Sequence, residues 1–364
     1  MKQVIIIGNG FDIAHGLPTS FKDFSKYLLE KVLIPDLKQF VLETGNSLYY
    51  TDGIREIFRQ HLFPVGYKTN YSLEGVLLNL SKESFKESLI NNKMIFLEHL
   101  KNNFLSKLYR EEDEFWFDVE SSYFDMLSYI PKSYDKSSQK VQVLRLNKDL
   151  KQIKTLLQDY LETLNVNYDS QVSDFTKDLI TSFQNKGSAN DIIVIDFNYT
   201  QTIKSFKIIG YEHYPIHGTL NSDIIFGWGN DKDGDYLEIK DLKDDNFLTN
   251  FKTHHYLKNN NYQLIHHSLI RVKEKFNVHV LGHSLGLTDK SLLKEIFESD
   301  NCERIYLYLR SDKYKSELED NKQIEVENEF TKLTMAISRI IDDQMARVKV
   351  VNMVYSNYFP KRSK

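Results

Sequence analysis

The sequence predicts an α/β fold of the Rossmann-like kind: a mainly parallel sheet flanked by helices, with a large α-helical insertion. Three observations predict it. The chain opens on a continuous β-branched run, Val4-Ile5-Ile6-Ile7, which Gly8-Asn9-Gly10 ends, as expected of a strand buried on both faces. Similar runs return at Ile192-Ile193-Val194-Ile195, Asp223-Ile224-Ile225-Phe226, Val278-His279-Val280-Leu281, Ile305-Tyr306-Leu307-Tyr308-Leu309 and Val348-Lys349-Val350-Val351, with helical patterns between several of them. From about residue 50 to 185 glycine almost disappears and Lys, Glu, Leu and Phe dominate. The expected division is an α/β domain of residues 1–50 and 188–364, interrupted by a helical insertion over 51–187.

The elements follow in order. After the first strand, Ser20 and Asp23 form a capping box, and Phe21, Phe24, Tyr27 and Leu28 follow at helical spacing. In the insertion, Leu97, Leu100, Phe104 and Leu108 fall on one helical face, as do Leu146, Leu150, Ile153, Leu157 and Leu161. The second set reads as a partner-binding coiled coil or, because the run is short, as an intramolecular helix pair. Trp116-Phe117-Asp118-Val119-Glu120 reads as a core tryptophan with solvated carboxylates beside it. Segment 231–262, rich in Asp, Asn and Lys, reads as a polar excursion. Leu292 to Phe297, and Phe330, Leu333, Ile337 and Ile341, complete the helical patterns.

Composition narrows the function classes. The 364 residues hold 47 Lys plus Arg against 51 Asp plus Glu, a net charge of −4, so nucleic acid is not indicated as a partner. The 23 Phe and 22 Tyr are scattered and not interleaved with basic clusters. The single cysteine, Cys302, excludes an internal disulfide and any four-cysteine zinc module. His254-His255 and His266-His267 match no dense ligand spacing, so no metal is expected. The run Val4–Ile7 is too short for a signal peptide, and no apolar stretch is long enough for a membrane span; the expected address is the cytoplasm.

In an open parallel sheet, ligands bind beyond the carboxyl ends of the strands. Four segments fall there: Gly8-Asn9-Gly10-Phe11-Asp12, Phe197-Asn198-Tyr199-Thr200, His217-Gly218 and Gly282-His283-Ser284-Leu285-Gly286. A strand followed by G-x-G brings backbone N–H groups to a phosphate, or forms a tight turn that needs glycine. The third glycine, Gly16, is too far on for the dinucleotide fingerprint, so an ordinary dehydrogenase is not expected. Gly282–Gly286 matches the nucleophile elbow G-x-S-x-G around Ser284, but His283 is the last histidine in the chain, against the order of that fold. His217 is the candidate general base and Asn198 the group that positions a ribose or water, a pair suited to attack on a glycosidic carbon.

The stretch IIIGNGFDIAHGLPTSFKDF, with DFNYT, IHG and LGHSLGLTD later in the chain, resembles the AbiH family of bacterial abortive-infection proteins. A more distant likeness is to sirtuins. Gly8-Asn9-Gly10 with Gly16-Leu17-Pro18 resembles their glycine loop, Asn198 their ribose-contacting asparagine, His217-Gly218 their histidine-glycine pair, and Gly282 with Ser284 their G-x-S. The likeness implies that Gly8, Asn9, Gly10, Gly282 and Ser284, with the adjoining Phe11 and Asp12, bind NAD as substrate, and that Asn198 and His217 act on it. No arginine follows Pro18 as it does in sirtuins, and Asp12 sets a negative charge near the expected pyrophosphate. With one cysteine, protein deacetylation is not expected.

The expected function is a phage-defence effector that hydrolyses NAD to nicotinamide and ADP-ribose. It would be restrained until a phage-derived trigger arrives, with a homo-oligomer as one means of restraint. The alternatives are a nucleotide-binding sensor without turnover and a serine hydrolase acting through Ser284.

Overall fold

The computed structural model describes residues 1–42, 46–53, 97–111, 116–164, 170–185, 191–206, 210–311 and 320–360. The chain runs β1 (Lys2–Ile7), α1 (Asn9–Ala14), α2 (Phe21–Tyr27), α3 (Ile34–Leu42), α4 (Asn103–Glu111), α5 (Trp116–Ser133), α6 (Lys136–Glu162) and α7 (Ser170–Gln184). It continues with β2 (Ile192–Asp196), β3 (Glu212–Pro215), α8 (Gly234–Asp241), α9 (Asp245–Leu248), α10 (Lys252–His255), α11 (Asn261–His266) and β4 (Phe276–Leu281). It ends with α12 (Lys290–Glu298), β5 (Cys302–Ser311), α13 (Asp320–Ser338), α14 (Asp343–Lys349) and β6 (Asn357–Pro360).

The strands form one sheet in the order β3-β2-β1-β4-β5-β6, and every neighbouring pair is parallel. The order reverses between β1 and β4. That is the topological switch point, where the loops leaving two adjacent strands diverge and open a crevice. The expected Rossmann-like α/β fold is the observed one.

The apolar runs form strands because both faces are covered. Val4 and Ile6 pack with Ile193, Ile195, Val278 and Val280 against Leu293, Ile296 and Phe297 of α12 and Ile337 of α13. Ile5 and Ile7 pack on the other face with Ile192 and Val194 against Phe11, Ala14 and Ile180. Burying each such side chain contributes about 1.5–3 kcal/mol. A third core joins Phe21 and Phe24 to Phe104, Val119, Leu127, Val143, Leu150 and Leu157, and it continues into Phe226, Trp228 and Phe251. Helices α4–α6 therefore share a core with the segment that follows β3.

The capping box of α2 is present, with Ser20 Oγ accepting from the Asp23 N–H, and the leucine set of α6 is buried. Five expectations are corrected. Ile224-Ile225-Phe226 is buried but is no strand: the N–H of Ile225 bonds to His217 O and that of Gly227 to a Glu120 carboxylate, so no strand neighbour is needed. Val348 and Lys349 close α14, because Asp342 caps the N–H groups of Gln344 and Met345; only Val350 bridges to Ile305. Leu97 and Leu100 precede α4, which starts where the Asn102 side chain caps the Leu105 N–H; they share a core with Phe104 but not a helix. Segment 231–262 is not an excursion: it holds α8–α10 and buries Tyr236, Phe247, Phe251, Lys252 and Tyr256. Glu120 is buried, not solvated, because Lys252 meets it. The strands β3 and β6 had no counterpart among the predicted runs.

Candidate functional site

All four motif loops leave the carboxyl ends of strands around the switch point: Gly8 after β1, Phe197 after β2, His217 after β3 and Gly282 after β4. The β1 and β4 loops touch through their backbones. The N–H of Gly10 donates to Gly282 O at 2.7 Å. Gly282 has φ +68°, and a Cβ there would lie 2.2 Å from the Phe11 nitrogen, so only glycine fits. The N–H of Phe11 donates to Gly8 O at 2.8 Å, and Asn9 Oδ1 accepts from Thr19 Oγ1 at 2.6 Å. The N–H groups of Gly10 and Phe11 are thus committed within the protein.

Asp12 anchors the first of two polar networks. Its carboxylate accepts from Thr200 Oγ1, from Thr202 Oγ1 at 2.6 Å and from Asn198 Nδ2 at 3.3 Å. Burial pushes its carboxyl up to about 7 against the pull of the two threonines. Asn198 Nδ2 also donates to Gly8 O at 3.1 Å, and the Asn198 N–H donates to Asp196 Oδ1 at 2.9 Å. Asp196, whose pKa burial raises, meets His213 Nε2 at 2.9 Å through its other oxygen. The Asp12 charge therefore faces three donors of the β2 loop.

The second network is ionic and centres on Asp289. His217 Nε2 lies 3.0 Å from Asp289 Oδ1, and Lys252 Nζ lies 2.8 Å from the same oxygen. Lys252, only 1% exposed, also reaches Glu120 Oε2 of α5 at 2.9 Å. The other Glu120 oxygen accepts from the Gly227 N–H at 3.0 Å. Burial works against the Asp289 carboxylate, but Lys252 and then His217 overcome it and hold the group well below the usual carboxylate range. Burial likewise opposes the Lys252 charge, and Asp289 and Glu120 reverse that and hold the ammonium up. Burial raises Glu120. With Asp289 accepting at Nε2, the neutral His217 ring carries its proton there and leaves Nδ1 as the basic nitrogen. Among the described residues Nδ1 makes no hydrogen bond.

His283 sits beside this network. Its Nδ1 accepts from the Leu285 N–H at 2.9 Å, and its Nε2 lies 3.7 Å from Asp289 Oδ2. Burial lowers its pKa to about 4. The Phe197 ring stands edge-on to both histidines, with centroids 5.2 Å from His217 and 4.3 Å from His283. Phe197 thus faces the ionic network while the next residue, Asn198, serves the Asp12 network. The structure brings the predicted residues to one end of the sheet, but it places no hydrogen bond between Asn198 and His217. Ser284 is exposed and, among the described residues, has no hydrogen bond to a histidine. His255 Nε2 meets Thr249 O, and no group of three or more His, Cys, Asp or Glu that could hold a metal ion occurs among the described residues.

Sequence reasoning missed Asp289, Lys252 and Glu120. Asp289 was within reach, because it closes the motif LGHSLGLTD. Glu120 and Lys252 carry no local signal beyond the apolar neighbours Val119 and Phe251.

Among the described residues no helix is long and apolar enough to cross a membrane. No curated protein matches the chain. The family model described as "Bacteriophage abortive infection AbiH" matches residues 4–311, a span that runs from within β1 through every motif loop of the crevice to the end of β5. The chain therefore belongs to the bacteriophage abortive infection AbiH family.

Proposed function

We propose that this abortive-infection protein acts by cleaving the N-glycosidic bond of a nucleotide, NAD above all, in the switch-point crevice. The observation that carries the reading is the 3.0 Å contact between His217 Nε2 and Asp289, which orients the ring and leaves Nδ1 to take a proton. Water attacks C1′ of the nicotinamide ribose. The C1′–N1 bonding pair leaves with the nicotinamide, which departs neutral from a cationic ring and needs no general acid. A proton of the attacking water passes to His217, and ADP-ribose forms. NAD enters this reading through the sirtuin likeness of the four loops. A phage-derived trigger and assembly into a homo-oligomer belong to the same reading as means of restraint.

The test incubates the purified chain with NAD and follows nicotinamide and ADP-ribose by chromatography, with His217→Ala beside it, and repeats the measurement in phage-infected cells. Nicotinamide release that disappears in the variant supports the reading. NAD that stays constant both in the tube and during infection overturns it.

A second reading, a nucleotide sensor without turnover, is favoured by one observation: the Asn198 amide, which turnover would use to position the ribose or water, donates to Gly8 O and Asp12 inside the protein. It expects saturable nucleotide binding by calorimetry with no nicotinamide release, and tolerance of Asn198→Ala.

A further inference from the structure

We infer that the outer face of α6, together with the groove between α4, α5 and α6, is a docking surface for an acidic segment of a partner protein that carries an apolar anchor. The groove encloses about 320 Å³. Buried Ile130 and Leu146 and exposed Tyr129 and Tyr134 line it, and its charged lining is mixed, with Lys107 and Arg145 beside Asp125 and Asp149, so the excess of positive charge lies on the outer face of α6. A concavity of this size accepts one or two anchoring side chains, and aromatic, Met and Arg residues are those enriched where binding energy concentrates.

Charge identifies the occupant. Lys140, Arg145, Lys148 and Lys151 are exposed, and with the exposed Val141 and Leu144 they fall within an arc of about 140° on the helix. None of the four cations makes an ion pair among the described residues. The one acidic residue between Lys140 and Lys151 is Asp149, a buried residue of the groove wall on whose carboxylate the charges of Arg145 and Lys148 act. Its Oδ2 accepts from the N–H groups of Asn103 and Phe104 at 3.0 and 3.3 Å, where it caps α4. The face is therefore basic on a chain whose net charge is −4. Aliphatic Val141 and Leu144 stand among the cations, and aliphatic side chains offer nucleobases no stacking surface. The pattern matches a protein helix with carboxylates around an apolar stripe better than a nucleic-acid strand.

The test measures fluorescence anisotropy of the full chain with a labelled amphipathic peptide of leucine at helical spacing and glutamate elsewhere. A composition-matched scramble and a single-stranded oligothymidine serve as the comparison probes. The amphipathic peptide is expected to bind more tightly than either. Arg145→Glu with Lys148→Glu is expected to weaken it about tenfold or more, and rising salt to weaken it further. Tyr129→Ala tests the groove separately. Because Arg145 and Lys148 act on the Asp149 carboxylate that caps α4, Lys140→Glu with Lys151→Glu serves as the second charge-reversed chain, and it is expected to weaken the peptide likewise. An unchanged affinity in either charge-reversed chain, equal binding of the scramble, or tighter binding of oligothymidine at this face would each overturn the inference.

Discussion

Lys252→Met removes the ammonium that pairs with both Glu120 and Asp289. The two carboxylate oxygens stand 2.9 and 2.8 Å from Nζ, and both acids are buried. Without the ammonium, two like charges roughly 6 Å apart at most repel by about 3 kcal/mol at an effective dielectric of 20. That agrees with the ~3–5 kcal/mol typical of breaking a buried ion pair from one side. The loss depends on pH in a stated direction. In the wild type the Asp289 pKa is depressed, so its contribution is present above the unfolded carboxylate value and persists through neutrality. Burial already raises Glu120 in the wild type against the pull of Lys252; without that pull its carboxyl rises further, and a raised carboxyl costs stability increasingly as pH rises. The variant is therefore expected to lose about 3 kcal/mol or more at pH 8 and less than half of that at pH 5. Urea unfolding followed by tryptophan fluorescence measures it. Trp228 stacks on Phe124 with centroids 4.2 Å apart, and its carbonyl accepts the Lys252 N–H, so it reports on the perturbed region. A loss below about 1 kcal/mol at pH 8, or equal losses at both pH values, would refute the account of the cluster.

Two further outcomes follow from the loops. Gly282→Ala sets a methyl 2.2 Å from the Phe11 nitrogen at a positive φ and is expected to cost about 3 kcal/mol or more, read as a lowered urea midpoint. Burial lowers the His283 pKa from the usual 6.5 to about 4, so its contribution is present above about pH 6.5 and is lost as pH falls toward 4. That loss amounts to about 3 kcal/mol. His283→Asn removes this slope, and a stability profile between those pH values as steep as the wild type's would count against it.

The interior of the sheet was legible because β1, β2 and β4 are covered on both faces, which demands unbroken apolar runs such as Ile192–Ile195. Three of the four motif positions were legible for the same reason, since they follow β1, β2 and β4; His217 follows the edge strand β3 and was found by its histidine-glycine pair instead. The edges were not. Glu212-His213-Tyr214-Pro215 has no apolar run, and it pairs on one side only, where a polar residue and a proline are tolerated. Ile224–Phe226 misled in the opposite way: an apolar run signals burial, but only available backbone partners make it a strand. Glu120 and Lys252 stand far apart in sequence, and each belongs to a type that is ordinarily solvated. Nothing local distinguishes them from the many other Lys and Glu residues of the chain. Asp12 was read as a charge near a phosphate; its three donors give it a different task, holding the β2 loop.

The ionic network also bears on why the helical region is needed at all. A buried lysine with two carboxylates is seldom the most stable filling for its space, and apolar side chains of similar volume often hold such a position as well or better. What the charges supply is direction: Lys252 fixes Asp289 from one side, and Asp289 fixes His217. Lys252 is itself fixed by Glu120 from α5, so the His217 ring is oriented by a chain of contacts that starts in the helical core. Stability and orientation are separable on this argument. Replacing Glu120 as well, Glu120→Leu with Lys252→Met, removes the repulsion between the two acids but not the desolvation of Asp289, and is expected to recover part of the stability lost in Lys252→Met alone. It leaves Asp289 without its lysine and, if the proposed cleavage of NAD is the activity, is expected to lower that rate about tenfold or more while KM changes little. A double variant that is stable and retains the wild-type rate would show that the cluster only fills space.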